Sequence, residues 1–182
     1  MFKKFLLVIY FFFLSFTTVF AEENKVILEL KKGEKIVLIR HALAPGLGDP
    51  SNFDLSDCKT QRNLSEEGIN QSKRVGVFFK SNSILIDKVY SSEWCRCKDT
   101  AKYAFGEFTT FSGLNSFFRD SSKGPAHIKS VKNLVNNWKS SKNLVLVTHH
   151  VTIGSLTNYY PNSGEIVVTD KSFKVIGSVK IN

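Results

Sequence analysis

Residues Lys35–Gly46 read KIVLIRHALAPG, and this stretch decides the fold. Four apolar residues, Ile36 to Ile39, follow one another without polar alternation, the pattern of a strand buried on both faces. The run stops at Arg40-His41, and Ala-Leu-Ala-Pro-Gly then breaks the extended chain with a loop. A guanidinium and an imidazole at a buried strand's exit are either the polar ending that any strand needs or two members of a site. The remaining chain decides between these readings.

Two further apolar runs of strand length, Val89–Tyr90 and Leu144–Val147, recur downstream, with helix-spaced stretches between them. Ser65 is placed to cap a helix running to about Lys80, with Ile69, Val75, Val77 and Phe78 as its apolar stripe. Glu93–Ala104 and His127–Trp138 read as two more helices, and a shorter one starts near Val151. Val26–Leu30 reads as a short opening helix closed by Gly33, with a strand as the alternative. Strand–helix alternation around buried strands predicts a three-layer α/β/α domain on a mostly parallel sheet. The tail differs: EIVVTD and FKVIGSVKI, joined at Lys171–Ser172, predict an edge hairpin.

The first 21 residues stand apart. Lys3 and Lys4 precede an apolar run, and Val19-Phe20-Ala21 leads into polar EENK, the layout of a secretory signal peptide. The alternative is an uncleaved anchor. Residues 22–182 then form one domain, and the expected location is periplasmic or secreted, with no membrane span after cleavage. The leader holds seven of the 16 Phe and two of the nine surplus positive charges. What remains is basic mainly through Lys, 20 against five Arg in the whole chain, with no polybasic run or basic–aromatic interleave pointing to nucleic acid. Three cysteines follow the leader. Cys58 with Cys95 or Cys97 is the simplest disulfide in an oxidising compartment, and the Cys95-x-Cys97 spacing without further ligands argues against a metal site.

The three core strands end alike. After Arg40-His41 come Ser91-Ser92 leading to Arg96, and Thr148-His149-His150. In parallel sheets, ligands bind beyond the carboxyl ends of the strands, so one rim gathers these groups. Arginine is scarce here, yet Arg40 and Arg96 lie just past strand exits and Arg62 lies just before the first long helix. A chain that otherwise selects Lys has a use there for a planar, permanently charged fork, which suits phosphate.

LIRHALAPG, QRNLSEEGINQSKRVG, SSEWCRCKDTA and LVLVTHH together resemble the four ordered signatures of the histidine phosphatase superfamily, over roughly residues 35 to 155. The resemblance implies a phosphoglycerate-mutase-like fold. Within the superfamily the chain is similar to small exported members, including the lipopolysaccharide-core heptose phosphatase type. It also implies roles: His41 as a nucleophile that becomes phosphorylated, with Arg40, Arg96 and His149 holding the phosphoryl oxygens and Arg62 as a further contact. No cofactor or metal is implied.

Two positions depart from the pattern. Ala42 stands where Gly is common, a small change. More consequential, the family's general acid is not evident. Asn115 or Ser116 occupies the comparable place, Asp120 is the nearest carboxylate, and Asp49, Asp54 and Glu165 are other loop candidates. His150 stands at another position where the family commonly has Gly, and reads as pocket wall or bystander. The expected activity is hydrolysis of a phosphomonoester or phosphoanhydride by a monomer. The expected partners are a phosphorylated small molecule or an envelope glycolipid. The rival is a phosphate-binding protein of the same fold without turnover, and a structural envelope protein is a third reading.

Overall fold

Strand β1, Ile36–Arg40, is the axis of the molecule, with Ile36 to Ile39 wholly buried. The computed structural model describes residues 23–181, so the predicted export segment at 1–21 lies outside the described residues. Helix α1 covers 23–32 and ends at Gly33, whose φ of 75° suits a residue without a Cβ. Its amide bonds the Leu30 carbonyl at 3.1 Å. The opening helix is therefore present as expected.

The other elements follow in chain order. They are α2 (Glu66–Ser81), β2 (Ile86–Ser91), α3 (Cys95–Phe105), β3 (Thr109–Thr110), α4 (Gly124–Asn137), β4 (Asn143–Thr148), α5 (His150–Thr157), β5 (Ile166–Thr169) and β6 (Val175–Val179). The six strands form one sheet in the order β3-β2-β4-β1-β5-β6. β1, β2, β3 and β4 run parallel, while β5 pairs antiparallel with both β1 and β6. This is the mostly parallel sheet with an edge hairpin that the sequence predicts. The two-residue β3 was not legible, because Thr109-Thr110 carries no apolar pattern.

Alternate strand residues feed two cores, which makes the three layers. Val37, Ile39, Val145 and Val147 meet Val26, Val75, Phe79 and Ala101 of helices α1 to α3. Ile36, Leu38, Leu144 and Leu146 meet Val131, Val135 and Ile153 of α4 and α5 on the other face. With both faces of β1 and β4 covered, the strands' carboxyl ends are the place left for polar chemistry. Register makes those ends level: Arg40 pairs with Thr148, and Ser91 pairs with Val147.

Candidate active site

The ladder continues one residue beyond the sheet, which fixes the floor of the site. The His41 amide donates to the Thr148 carbonyl at 2.9 Å, and the Ser92 amide to the Val147 carbonyl at 2.9 Å. The backbone after β1 is held further by the Ala42 amide on Thr100 Oγ1 at 3.0 Å and by the Gly164 amide on the Arg40 carbonyl at 3.1 Å. Helix α2 comes in close because Gly68 has no side chain: a Cβ there would lie 2.1 Å from the Leu43 carbonyl oxygen. Ser65 caps α2 as expected, accepting from the Gly68 amide at 3.1 Å. These bonds hold His41 and His149 with their ring centroids 5.5 Å apart.

Both imidazoles are 2% exposed and neutral. His41 Nδ1 lies 2.8 Å from the Ala42 carbonyl oxygen, which has no hydrogen to offer, so Nδ1 carries the ring proton. Nε2 is left with its lone pair. Burial first, then the Arg96 charge and more weakly Arg40 and Arg62, drive the His41 pKa well below the ordinary imidazole value. His149 is lowered likewise, by burial and then by His41 and Arg96. Its Nε2 lies 3.0 Å from Ser92 Oγ and 3.5 Å from Cys97 Sγ. Ser92 Oγ also donates to Asn115 Oδ1 at 3.1 Å, so this one oxygen ties His149 to the Asn115 side chain.

Three guanidiniums border the same cavity of about 240 Å³, together with His41 and His149. Arg40, Arg62 and Arg96 each keep a buried Nε–H with no partner. Arg40 donates through Nη1 to the Pro161 carbonyl at 3.0 Å, and Arg62 through Nη1 to the carbonyls of Ala44 and Gly46. Arg62 does not pair with Glu66 or Glu67; Glu67 is taken by Arg74 at 2.5 Å. Three guanidiniums beside two imidazoles give the cavity a permanently positive lining that suits an oxyanion.

One side of the cavity is a strap, residues 43–64, running from β1 to α2. Cys58 forms a disulfide with Cys95, settling the alternative in favour of the first residue of α3. Gln61 adds a second tie, accepting from the Cys95 amide at 2.9 Å while donating to the carbonyls of Asp54 and Leu55. Asp49 supplies a third through Arg96 Nη1 at 2.7 Å, the Arg62 amide at 3.0 Å and Trp94 Nε1 at 3.2 Å. Phe53 stacks on Trp94 at 5.2 Å, and Arg119 reaches over from the other side to the carbonyls of Asp49 and Pro50. Cys97 remains a buried free thiol, pushed up to about 12 by burial.

The structure thus brings together His41, Arg40, Arg62, Arg96 and His149, and leaves Asp120 out. Asp120 is exposed, accepts from the Ser122 hydroxyl at 2.5 Å and the Ser122 amide, and approaches Lys123 at 3.5 Å. The Ser122 bond leads in holding its carboxyl below the usual range, the reverse of what a proton donor needs. Asp120, the carboxylate nearest in sequence to the expected general-acid position, does not line the cavity and caps a short 3-10 turn at Ser121–Lys123. Asp54 serves Ser56 in the same way, and Glu165 is buried beneath Tyr159 and Asn162. Neither of these lines the cavity. Among the described residues Asp49 is the one carboxylate that does. Ser116 also lines the cavity, whereas Asn115 is committed to Ser92 and Glu93.

Neither Ser91 nor Ser92 is the N-cap of α3, which is Trp94; Ser92 instead positions His149. Sequence reasoning missed Arg119, Trp94 and Phe53. A signal for Arg119 was present: of five arginines, four line the cavity and only Arg74 lies elsewhere. His150 is a wall residue, lining the cavity and packing against Phe118 at 5.9 Å.

Residues 36–115 match the family model described as the histidine phosphatase superfamily (branch 1). That span carries β1, the strap, α2, β2 and α3. No curated protein matches the chain. Among solved structures, TTHB049 from Thermus thermophilus superimposes with a TM-score of 0.57 at 16% identity, covering 80% of this chain and 98% of that one. The protein histidine phosphatase SixA, solved as a complex with tungstate, gives a TM-score of 0.50 at 15% identity, covering 78% and 92%. The open reading frame Rv3214 of Mycobacterium tuberculosis gives 0.54 at 16% identity, covering 74% and 90%. At such identities the likeness concerns the fold.

Proposed function

We propose that this chain of the histidine phosphatase superfamily hydrolyses a phosphomonoester or phosphoanhydride through a phosphohistidine on His41. The observation that carries the reading is the convergence of Arg40, Arg62, Arg96 and His149 on one cavity with His41, whose ring proton is fixed on Nδ1. The Nε2 lone pair attacks phosphorus while the bond to the leaving oxygen breaks. The Ala42 carbonyl then faces an Nδ1–H made more acidic by the phosphoryl group, and the bond between them strengthens. Water attacks phosphorus in the second step, the P–N bond breaks and Nε2 regains its lone pair. Arg40, Arg62 and Arg96 stabilise charge on the non-bridging oxygens in both steps. Tungstate, a tetrahedral oxyanion held by the similarly folded SixA, fits the same reading.

Acid-labile labelling from a phosphoryl donor tests it. Label on the wild type and none on His41→Ala is the expected result; label that persists in His41→Ala ends it. The ionised state of Asp49 favours a second reading, a phosphate-binding protein without turnover. Substrates with acidic leaving groups separate the two, because they need little proton donation. Release from an aryl phosphate above the His41→Ala background supports the enzyme.

Export is part of the proposal and rests on the leader-like residues 1–21 together with the Cys58–Cys95 disulfide, which suits an oxidising compartment. An envelope glycolipid phosphate or a small phosphorylated molecule is the substrate class we propose for such a location. Fusion of the N-terminal segment to a reporter active only after export tests the first part.

A further inference from the structure

Asp49 sits where a phosphatase has least obvious use for a negative charge. Its carboxylate accepts four hydrogen bonds. Arg96 Nη1 reaches Oδ1 at 2.7 Å and Nη2 reaches Oδ2 at 3.4 Å. The Arg62 amide adds a bond to Oδ1 at 3.0 Å and the Trp94 indole one to Oδ2 at 3.2 Å. Arg96 and Asp49 are 4% and 9% exposed at their side chains. Burial alone would raise the Asp49 carboxyl, but the Arg96, Arg62 and Trp94 bonds outweigh it and hold the group below the usual carboxylate range. An ionised carboxylate so placed is either a rival of the substrate or a brace for the arginine.

The guanidinium edges decide between these. Asp49 takes the two-Nη end of Arg96, and the Arg62 carbonyl shares Nη1 at 3.3 Å. The buried Nε–H keeps no partner. A planar fork has distinct edges, so clamping one end fixes the direction of the other. We propose that Asp49 is a positioning residue that holds Arg96 by its Nη end and so fixes the guanidinium charge at the wall of the phosphoryl-binding cavity. This rests on the phosphate-binding site proposed above. The same carboxylate carries the strap, because the Arg62 amide and Trp94 indole share it. One anion thereby sets the direction of two guanidinium-bearing segments. An unclamped Arg96 has several rotamers to lose when the substrate arrives, and the clamp removes them beforehand.

The test uses Asp49→Asn, Asp49→Ala and Asp49→Glu in the full chain, with an aryl phosphate for turnover and inorganic phosphate for affinity. Loss of one charge-assisted bond to the arginine is expected to lower kcat/KM and phosphate affinity about tenfold to a hundredfold. Asp49→Glu is expected to recover part of that loss. Arg96→Ala combined with Asp49→Asn is expected to be little worse than Arg96→Ala alone, since both act through one guanidinium. Tighter phosphate binding by Asp49→Asn overturns the proposal, because it makes Asp49 a competitor. Additive losses in the double variant also overturn it. So does a fall in melting temperature with unchanged kcat/KM per folded molecule, which is a purely structural role. Should Asp49→Asn not fold, the Asp49→Glu affinity and its coupling to Arg96→Ala decide by the same criteria. A wild type that binds phosphate without turnover sinks the enzyme reading alone and leaves the affinity comparison to judge Asp49; a wild type that binds none sinks both.

Discussion

The floor and the wall of the cavity are made differently. The floor, comprising His41, Arg96 and His149, comes from strand ends and a helix start, and each residue is at most 3% exposed. The wall comes from two loops, where Leu47 is fully exposed and Phe118 is 65% exposed. His41 is fixed by a ladder bond that the sheet makes in any case, and the Arg96 backbone by the first turn of α3. Wall residues are fixed by a few ties, namely the disulfide, Gln61, Asp49 and Arg119. Chemistry common to all substrates belongs on the first kind of support, and selection among substrates suits the second.

Substitutions can break this division. The largest effect is expected for His41→Ala, which removes the nucleophile and should leave aryl phosphate turnover at the uncatalysed background. Arg96→Ala comes next, about tenfold to a hundredfold lower in kcat/KM for the same substrate. Gly68→Ala attacks the floor's support. Its Cβ meets the Leu43 carbonyl, and a loss of about 1–3 kcal/mol in urea denaturation is expected. Wall changes rank last: Leu47→Ser and Phe118→Ala should alter turnover of a small aryl phosphate by about threefold or less, in line with the small energies of exposed side chains. A larger wall effect on a small substrate would erase the distinction.

Acid sharpens the same contrast. His41 and His149 have folded pKa values well below 6.5, whereas the unfolded chain takes up protons near 6.5. Below that pH the unfolded state binds more protons, so each of the two removes about 1.4 kcal/mol of stability per pH unit of acidification until its own folded pKa is reached. The slope is expected to flatten in His149→Asn, measured by denaturant melts between pH 7 and 5. A slope unchanged by that variant means the imidazole is not held neutral in the fold.

The same division explains what the sequence disclosed. Ile36–Ile39 and Leu144–Val147 announce buried strands because both faces need apolar residues, and the polar groups at their exits follow directly. Arg62 was visible through the rarity of arginine. The wall was not legible, because Gly46, Leu47, Phe53 and Phe118 obey no period and are placed by long-range ties. The place of Asp120 was not legible for a related reason: closeness in sequence to the comparable position says nothing of which way a loop carboxylate turns. Asp49 lies 47 residues before Arg96, and only folding pairs them.

Cys97 lies two positions beyond Cys95, close enough in the chain to challenge its bond with Cys58. Exchange of disulfide partners starts from a thiolate, and a thiol at about 12 leaves roughly one molecule in 10⁵ ionised at pH 7. Burial beside His149 therefore acts as a guard against scrambling. Once the correct partners have joined, the third sulfur is chemically silent, and the strap keeps its anchor for as long as the core stays shut.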